Sequence, residues 1–218
     1  MLSLAEENYL KVIYHLSEGG KLSVSTNSIA DQLKTKPASV SDMINKLGRK
    51  NILIYKKYQG VKISTEGKKL ALLLIRKHRL WEVFLVEKLK FNWDEVHEVA
   101  EQLEHIRSPL LIKRLDEFLG YPKYDPHGDP IPDEHGDFKE KVKIKLSEYD
   151  LNKSGIIVAV NDASSTFLQY LDKIGAGIGS KLRILDRVEF DGSLEINLND
   201  KKNVFVSREV ADNILVTE

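Results

Sequence analysis

The sequence predicts a mainly α protein with a β tail, and three observations carry that prediction. Residues 1–49 hold three stretches with an apolar period near 3.6, followed at once by a β-prone hairpin. Residues 65–119 continue in helical periods, and beyond residue 139 the pattern changes to short alternating runs broken by glycines. The expected domains are therefore residues 1–64, 65–138 and 139–218.

Leu4, Tyr9, Leu10, Val12, Ile13 and Leu16 form the apolar stripe of a first helix, ended by Gly19-Gly20. A second helix follows, with Asn27 or Ser28 as its cap and Ile29, Ala30 and Leu33 as its buried face. After Lys34-Thr35-Lys36, Pro37 suits the first turn of a third helix that buries Val40, Met43, Ile44 and Leu47. Residues 52–57 and 61–64 read as a hairpin turning at Tyr58-Gln59-Gly60. Three helices and a hairpin make a winged helix-turn-helix. Ser64 or Thr65 caps a long fourth helix reaching about residue 88, residues 94–106 and 109–119 give two more, and Gly120 stops the last. The run Asp125-Pro126-His127-Gly128-Asp129-Pro130-Ile131-Pro132 is a linker or ordered crossing. Beyond it, residues 156–160, 181–186, 194–198 and 204–206 read as short strands of a small β-barrel, with one helix near residues 164–174.

The net charge of zero hides an uneven distribution. Residues 1–79 carry 15 Lys and Arg against 6 Asp and Glu, a net of +9, whereas residues 94–140 carry 5 against 13, a net of −8. A basic front end suits phosphate backbones and an acidic middle suits cations; the alternative is ordinary surface charge unevenly spread. The chain has no cysteine, which excludes disulfides, thiolate metal sites and cysteine nucleophiles, so any ion must be held by oxygen and imidazole nitrogen. No charged-then-apolar leader and no membrane-length apolar run is present, which predicts a cytoplasmic protein.

In a helix-turn-helix the second helix of the pair meets base edges in the major groove. Here its outward residues are Ser39, Ser41, Asp42, Asn45 and Lys46. Lys36 flanks them, and Lys57 and Lys62 lie in or beside the wing, where they would neutralise phosphates. The expected partner is double-stranded DNA; a merely solvated face is the alternative. No outward arginine is placed for bidentate guanine contact, so part of the specificity is assigned to DNA shape.

His97, Glu101, Glu104 and His105 lie at offsets of four, seven and eight, which puts them on one stripe of an unbroken helix. No Lys or Arg falls between Asp94 and Ile106, so these carboxylates crowd together without counter-charge. His78 and Glu82 form another i, i+4 pair on the fourth helix. Any one of these residues alone reads as a surface side chain, but two such faces together offer ligands for one or two six-coordinate ions.

These features, in this order, resemble the DtxR/MntR family of metal-dependent repressors. The resemblance runs through Glu7-Asn8-Tyr9-Leu10, Ser39-Val40-Ser41, Arg76-Lys77-His78-Arg79-Leu80, Val96-His97, Glu104-His105 and Gly128-Asp129-Pro130-Ile131-Pro132. It implies an SH3-like, FeoA-type tail domain and a homodimer on palindromic operators, with metal and dimer contacts carried by the fourth to sixth helices. It implies a principal metal site of Asn8, Glu101, Glu104 and His105, and a neighbouring site of His78, Glu82 and His97. Glu101 stands where iron sensors have cysteine and manganese sensors glutamate, which implies Mn²⁺, with Fe²⁺ as the alternative. Asn8 departs from the Met or Asp expected there, Lys11 falls where shorter manganese sensors place Glu, and Asp162 is a candidate ligand from the tail. The implied function is repression of metal-uptake genes, with no enzymatic activity. The rivals are a regulator answering to a small organic ligand and, with no accompanying nucleophile motif, a binuclear metal hydrolase.

Overall fold

The structure is a computed structural model describing residues 2–56, 59–138 and 142–218. The chain separates into two compact units. The first comprises residues 1–78 with 103–108 and 132–137, the second residues 79–102, 109–131 and 138–218.

The first unit opens with α1 (Leu4–Leu16), α2 (Thr26–Gln32) and α3 (Pro37–Arg49), followed by the antiparallel pair β1 (Leu53–Lys56) and β2 (Gly60–Ile63). This is the expected winged helix-turn-helix. Ser25, rather than Asn27 or Ser28, caps α2, accepting the Ser28 amide at 3.0 Å. Pro37 occupies the first turn of α3, where its missing N–H costs nothing. Leu10, Ile13, Ile29, Val40, Ile44 and Leu47 pack into one core. The long helix α4 (Thr65–Glu87) starts against the hairpin, and a side chain at Gly67 would overlap the carbonyl of Ile52.

Glu6 ties α1 to the end of α3. Its carboxylate closes a capping box with Ser3 and accepts the Lys50 ammonium at 2.7 and 2.9 Å, with Lys46 at 3.3 Å. Burial opposes its ionisation, but hydrogen bonds from Lys50, the Ser3 amide and Lys46 overcome it and draw the group from 4.5 down to about 2. A depressed carboxylate stabilises the fold above its unfolded value and ceases to do so as pH falls through the folded one. Acid titration of unfolding should therefore show stability declining between pH 4.5 and about 2, and Glu6→Gln should flatten that decline while lowering stability at pH 7. Equal pH profiles for the two proteins would count against this role.

The second unit holds the rest of α4, most of α5 (Val96–Leu103), α6 (Pro109–Phe118) and the tail. The tail is a six-stranded antiparallel sheet in the order β3 (Ile144–Lys145), β8 (Ile214–Thr217), β4 (Ser154–Val160), β5 (Lys181–Arg187), β6 (Leu194–Leu198), β7 (Lys202–Val206). Helices α7 (Ser165–Ile174) and α8 (Arg208–Asn213) accompany it, and Leu146, Ile157, Leu168, Leu182, Ile184 and Ile196 form its core. The helix expected over residues 94–106 is shorter: α5 ends at Leu103, and Glu104 and His105 occupy the turn that closes it. The offsets of seven and eight from His97 therefore do not measure one helical face.

Candidate metal centre

In the second unit, Glu82 lies on α4 and is buried, a position an isolated carboxylate avoids. His97 of α5 presents Nδ1 to its Oε1 at 3.5 Å, and His127 presents Nδ1 to the same atom at 3.9 Å. Asp125 completes the group: donor atoms of Glu82, Asp125 and His127 all lie within 4.8 Å of one another, and all three residues are buried.

The segment 121–131 places two of these side chains through its own hydrogen bonds. Asp125 Oδ1 accepts the amides of His127 and Asp129, each at 2.9 Å, so one carboxylate folds its own loop. Arg79 braces the other side, with Nε 3.3 Å from Asp125 Oδ2, Nη2 3.2 Å from Asp129 and Nη1 donating to the Pro130 carbonyl at 2.5 Å. The loop docks on β4, where the Val160 amide donates to the His127 carbonyl at 3.1 Å. Gly128 has φ +85° there, and a Cβ would overlap the Val158 backbone.

The His127 ring stacks on Trp93 with centroids 6.0 Å apart, and its Nε2 lies 2.8 Å from the Trp93 carbonyl. A carbonyl only accepts, so Nε2 carries a hydrogen, and Nδ1 is the ring nitrogen that faces Glu82. Backbone orientation of an imidazole in this way is a recurring support for metal-ligating histidines. Asp125 is pushed up to about 7, first by burial and then by the Glu82 and Asp129 carboxylates, against the pull of Arg79 and His127. Carboxyl groups are thus crowded in a buried place beside the His127 imidazole and the Arg79 guanidinium. Two carboxylates and one imidazole within 4.8 Å of one another, with His97 beside Glu82 and no sulfur, fit a divalent cation of the Mn²⁺, Fe²⁺ or Zn²⁺ type.

The first unit holds a different cluster. Glu104 is fully buried, and its two oxygens accept the Lys11 ammonium at 2.8 and 3.0 Å. His78 Nδ1 lies 2.6 Å from Glu104 Oε2. Burial works against ionisation of Glu104, but the His78 hydrogen bond and the Lys11 charge outweigh it and hold the carboxyl below its usual range. His105 Nδ1 is 2.6 Å from Glu7 Oε2, while its Nε2 is 3.9 Å from Glu104.

Three regions of the chain match described families. Residues 1–61 match the iron dependent repressor N-terminal DNA binding domain, residues 64–133 the iron dependent repressor metal binding and dimerisation domain, and residues 144–218 the FeoA domain. A solved manganese-dependent transcriptional repressor in complex with manganese superposes with a TM-score of 0.87 at 34% identity, covering 98% of this chain and 99% of that one. The transcriptional regulator MntR of Oceanobacillus iheyensis is 34% identical over 119 residues, which is 55% of this chain and 80% of that protein. This chain belongs to the DtxR/MntR family of metal-dependent repressors. The iron-dependent repressor IdeR of Mycobacterium leprae is 34% identical over 126 residues, so the match spans 58% of this family member and about half (54%) of that relative.

In this family member the structure brings His78, Glu104 and His105 into the first unit with Glu7 and Lys11. Asn8 is exposed, and it is its neighbour Glu7 that reaches His105. Glu101 belongs to the second unit, 49% exposed, with Oε1 3.6 Å from His97 Nε2. Asp162 caps the approach to α7 by accepting the Ser164 amide at 2.7 Å. Ser39, Ser41, Asp42, Asn45 and Lys46 are exposed on α3, with Lys36 at its start and Lys62 exposed on β2, while Lys57 lies outside the described residues. Two of these have local ties: Ser41 Oγ donates to the Pro37 carbonyl and Lys46 faces Glu6. Sequence reasoning did not single out Asp125, His127 or Glu7 as ligand candidates. An Asp-x-His spacing inside a Pro- and Gly-rich run was the available signal for the first two.

Proposed function

We propose that this chain represses transcription as a homodimer that binds operator DNA when a divalent ion, Mn²⁺ or Fe²⁺, is held by Glu82, His97, Asp125 and His127. The observation that carries this reading is the convergence of three buried donors in the second unit, with His127 Nδ1 turned toward Glu82. Asp125 and His127 belong to a loop braced by Arg79, and Glu82 to a helix, so the ligands come from separate segments that a shared cation would hold together. The functional division proposed is DNA reading by residues 1–64, metal response and dimerisation by 65–138, and a supporting FeoA-type domain over 139–218. Leu110, Leu111 and Phe118 are exposed apolar residues of α6, the kind of surface a second copy would cover. Among the described residues no helix is long and apolar enough to cross a membrane.

A dimeric helix-turn-helix must set its two recognition helices one or more helical turns of DNA apart. The ion-bound form favours that spacing, and the ion-free ensemble rarely adopts it. Selectivity for manganese or iron rests on geometry and availability, since Zn²⁺ binds most such sites more tightly. The test is binding to the DNA upstream of the chain's own gene, before and after chelation, with Mn²⁺, Fe²⁺ or Zn²⁺ restored singly. Binding lost on chelation and regained with Mn²⁺ or Fe²⁺ is expected; chelator-indifferent binding would instead favour an organic effector.

Lys62, an exposed lysine of the wing, supplies a separate check on the DNA face. Lys62→Ala should weaken binding about equally for all sequences and reduce the salt slope by roughly 1, whereas Asn45→Ala should change base preference. An unchanged salt slope for the lysine variant would remove β2 from the DNA face.

A further inference from the structure

We infer that Lys11 is a built-in cation for Glu104, taking the place of a metal ion in the first unit, so that this chain needs one ion fewer than its ligand-type residues imply. A buried carboxylate must be compensated by a charge and by hydrogen bonds to its oxygens. At Glu104 both requirements are already met from the protein. The Lys11 ammonium sits astride the carboxylate at 2.8 and 3.0 Å, only 12% exposed, and His78 Nδ1 occupies the remaining side at 2.6 Å. His105, the other candidate ligand here, has its Nδ1 engaged by Glu7 at 2.6 Å.

A divalent ion bound to Glu104 would lie within a few ångströms of an ammonium that has no lone pair to offer, and the two positive charges would repel in a poorly solvated place. The residues therefore do not fit a metal here while Lys11 holds Glu104. Asn8, the α1 residue that the family resemblance implies as a further ligand, is exposed. Lys11 thereby does without an ion what a bound metal would otherwise do between α1 and the turn after α5: it joins segments 93 residues apart in the chain.

This inference does not require the site at Glu82, Asp125 and His127 to be correct, because its test is a difference between variants. Calorimetric Mn²⁺ titration with metal analysis of the dialysed protein is performed on the wild type, Lys11→Ala, Glu104→Gln and the double variant. Lys11→Ala should bind one more ion per subunit than the wild type, and the added ion should disappear in Lys11→Ala/Glu104→Gln. Without metal, Lys11→Ala should melt on the order of 10 °C lower, and Mn²⁺ should recover most of that loss. Glu104→Gln keeps an acceptor for Lys11, so in the wild-type background it should leave ion stoichiometry unchanged, a comparison that remains decisive if Lys11→Ala does not fold. An ion lost on Glu104→Gln, or a folded Lys11→Ala that gains none, overturns the inference. If instead the wild type binds no ion at all while Lys11→Ala binds one, the functional reading above fails and the lysine assignment stands.

Discussion

Glu82→Gln is expected to abolish metal-dependent operator binding while leaving the dimer folded. The substitution keeps the volume and one carbonyl oxygen but removes the buried charge on which the His97 and His127 imidazoles converge. Losing a supporting group around a metal typically costs 10–100-fold in affinity, so loss of a charged ligand should cost roughly 100-fold or more. It should not cost much stability without metal, because Glu82 and Asp125 oppose one another there, and the Asp125 carboxyl is pushed up partly by Glu82. The measurement is Mn²⁺-dependent DNA binding beside thermal melting in chelator. Wild-type Mn²⁺ response in Glu82→Gln would remove this residue from the site.

The second large effect is expected from a residue with no side chain. Gly128→Ala puts a methyl group into the Val158 backbone at a position whose φ of +85° already disfavours a side chain. Strain of this kind costs about 1–3 kcal/mol when the structure absorbs it. Here the loop has an alternative, which is to lift from β4, breaking the Val160–His127 hydrogen bond and withdrawing Asp125 and His127 from Glu82. Metal affinity should therefore fall by at least roughly 10-fold, as for loss of an orienting partner, together with a lower melting temperature. A variant with lowered stability but wild-type metal affinity would mean that the loop can reach Glu82 without docking on β4.

The helical and strand periods were legible because each is written in contiguous residues. Val40, Ile44 and Leu47 on α3, and Leu194, Ile196 and Leu198 on β6, announce their buried faces directly. The short end of the chain was less so: α8 is six residues long and β8 four, too brief for a period to stand out beside the β7 run. The metal-ligand reading relied on spacings within single helices, such as the His78 and Glu82 pair of α4. Such spacings lose their meaning where a helix stops, since nothing local in the sequence announces that α5 ends at Leu103 before Glu104 and His105. Asp125 and His127 have no period at all; their positions come from Asx-type hydrogen bonds, Arg79 and the Trp93 carbonyl, which are tertiary contacts. The partnership of Lys11 with Glu104 is equally non-local, although an α1 lysine in place of an acidic residue was its one visible sign.

The most direct measurement is an anomalous-scattering map at the manganese edge from crystals of the Mn²⁺-loaded protein. A peak is expected among Glu82, Asp125 and His127 with His97 at its edge, and none between Glu104 and His105, where Lys11 should remain on the Glu104 carboxylate. A peak on Glu104 and His105, with none beside Glu82, would contradict this assignment.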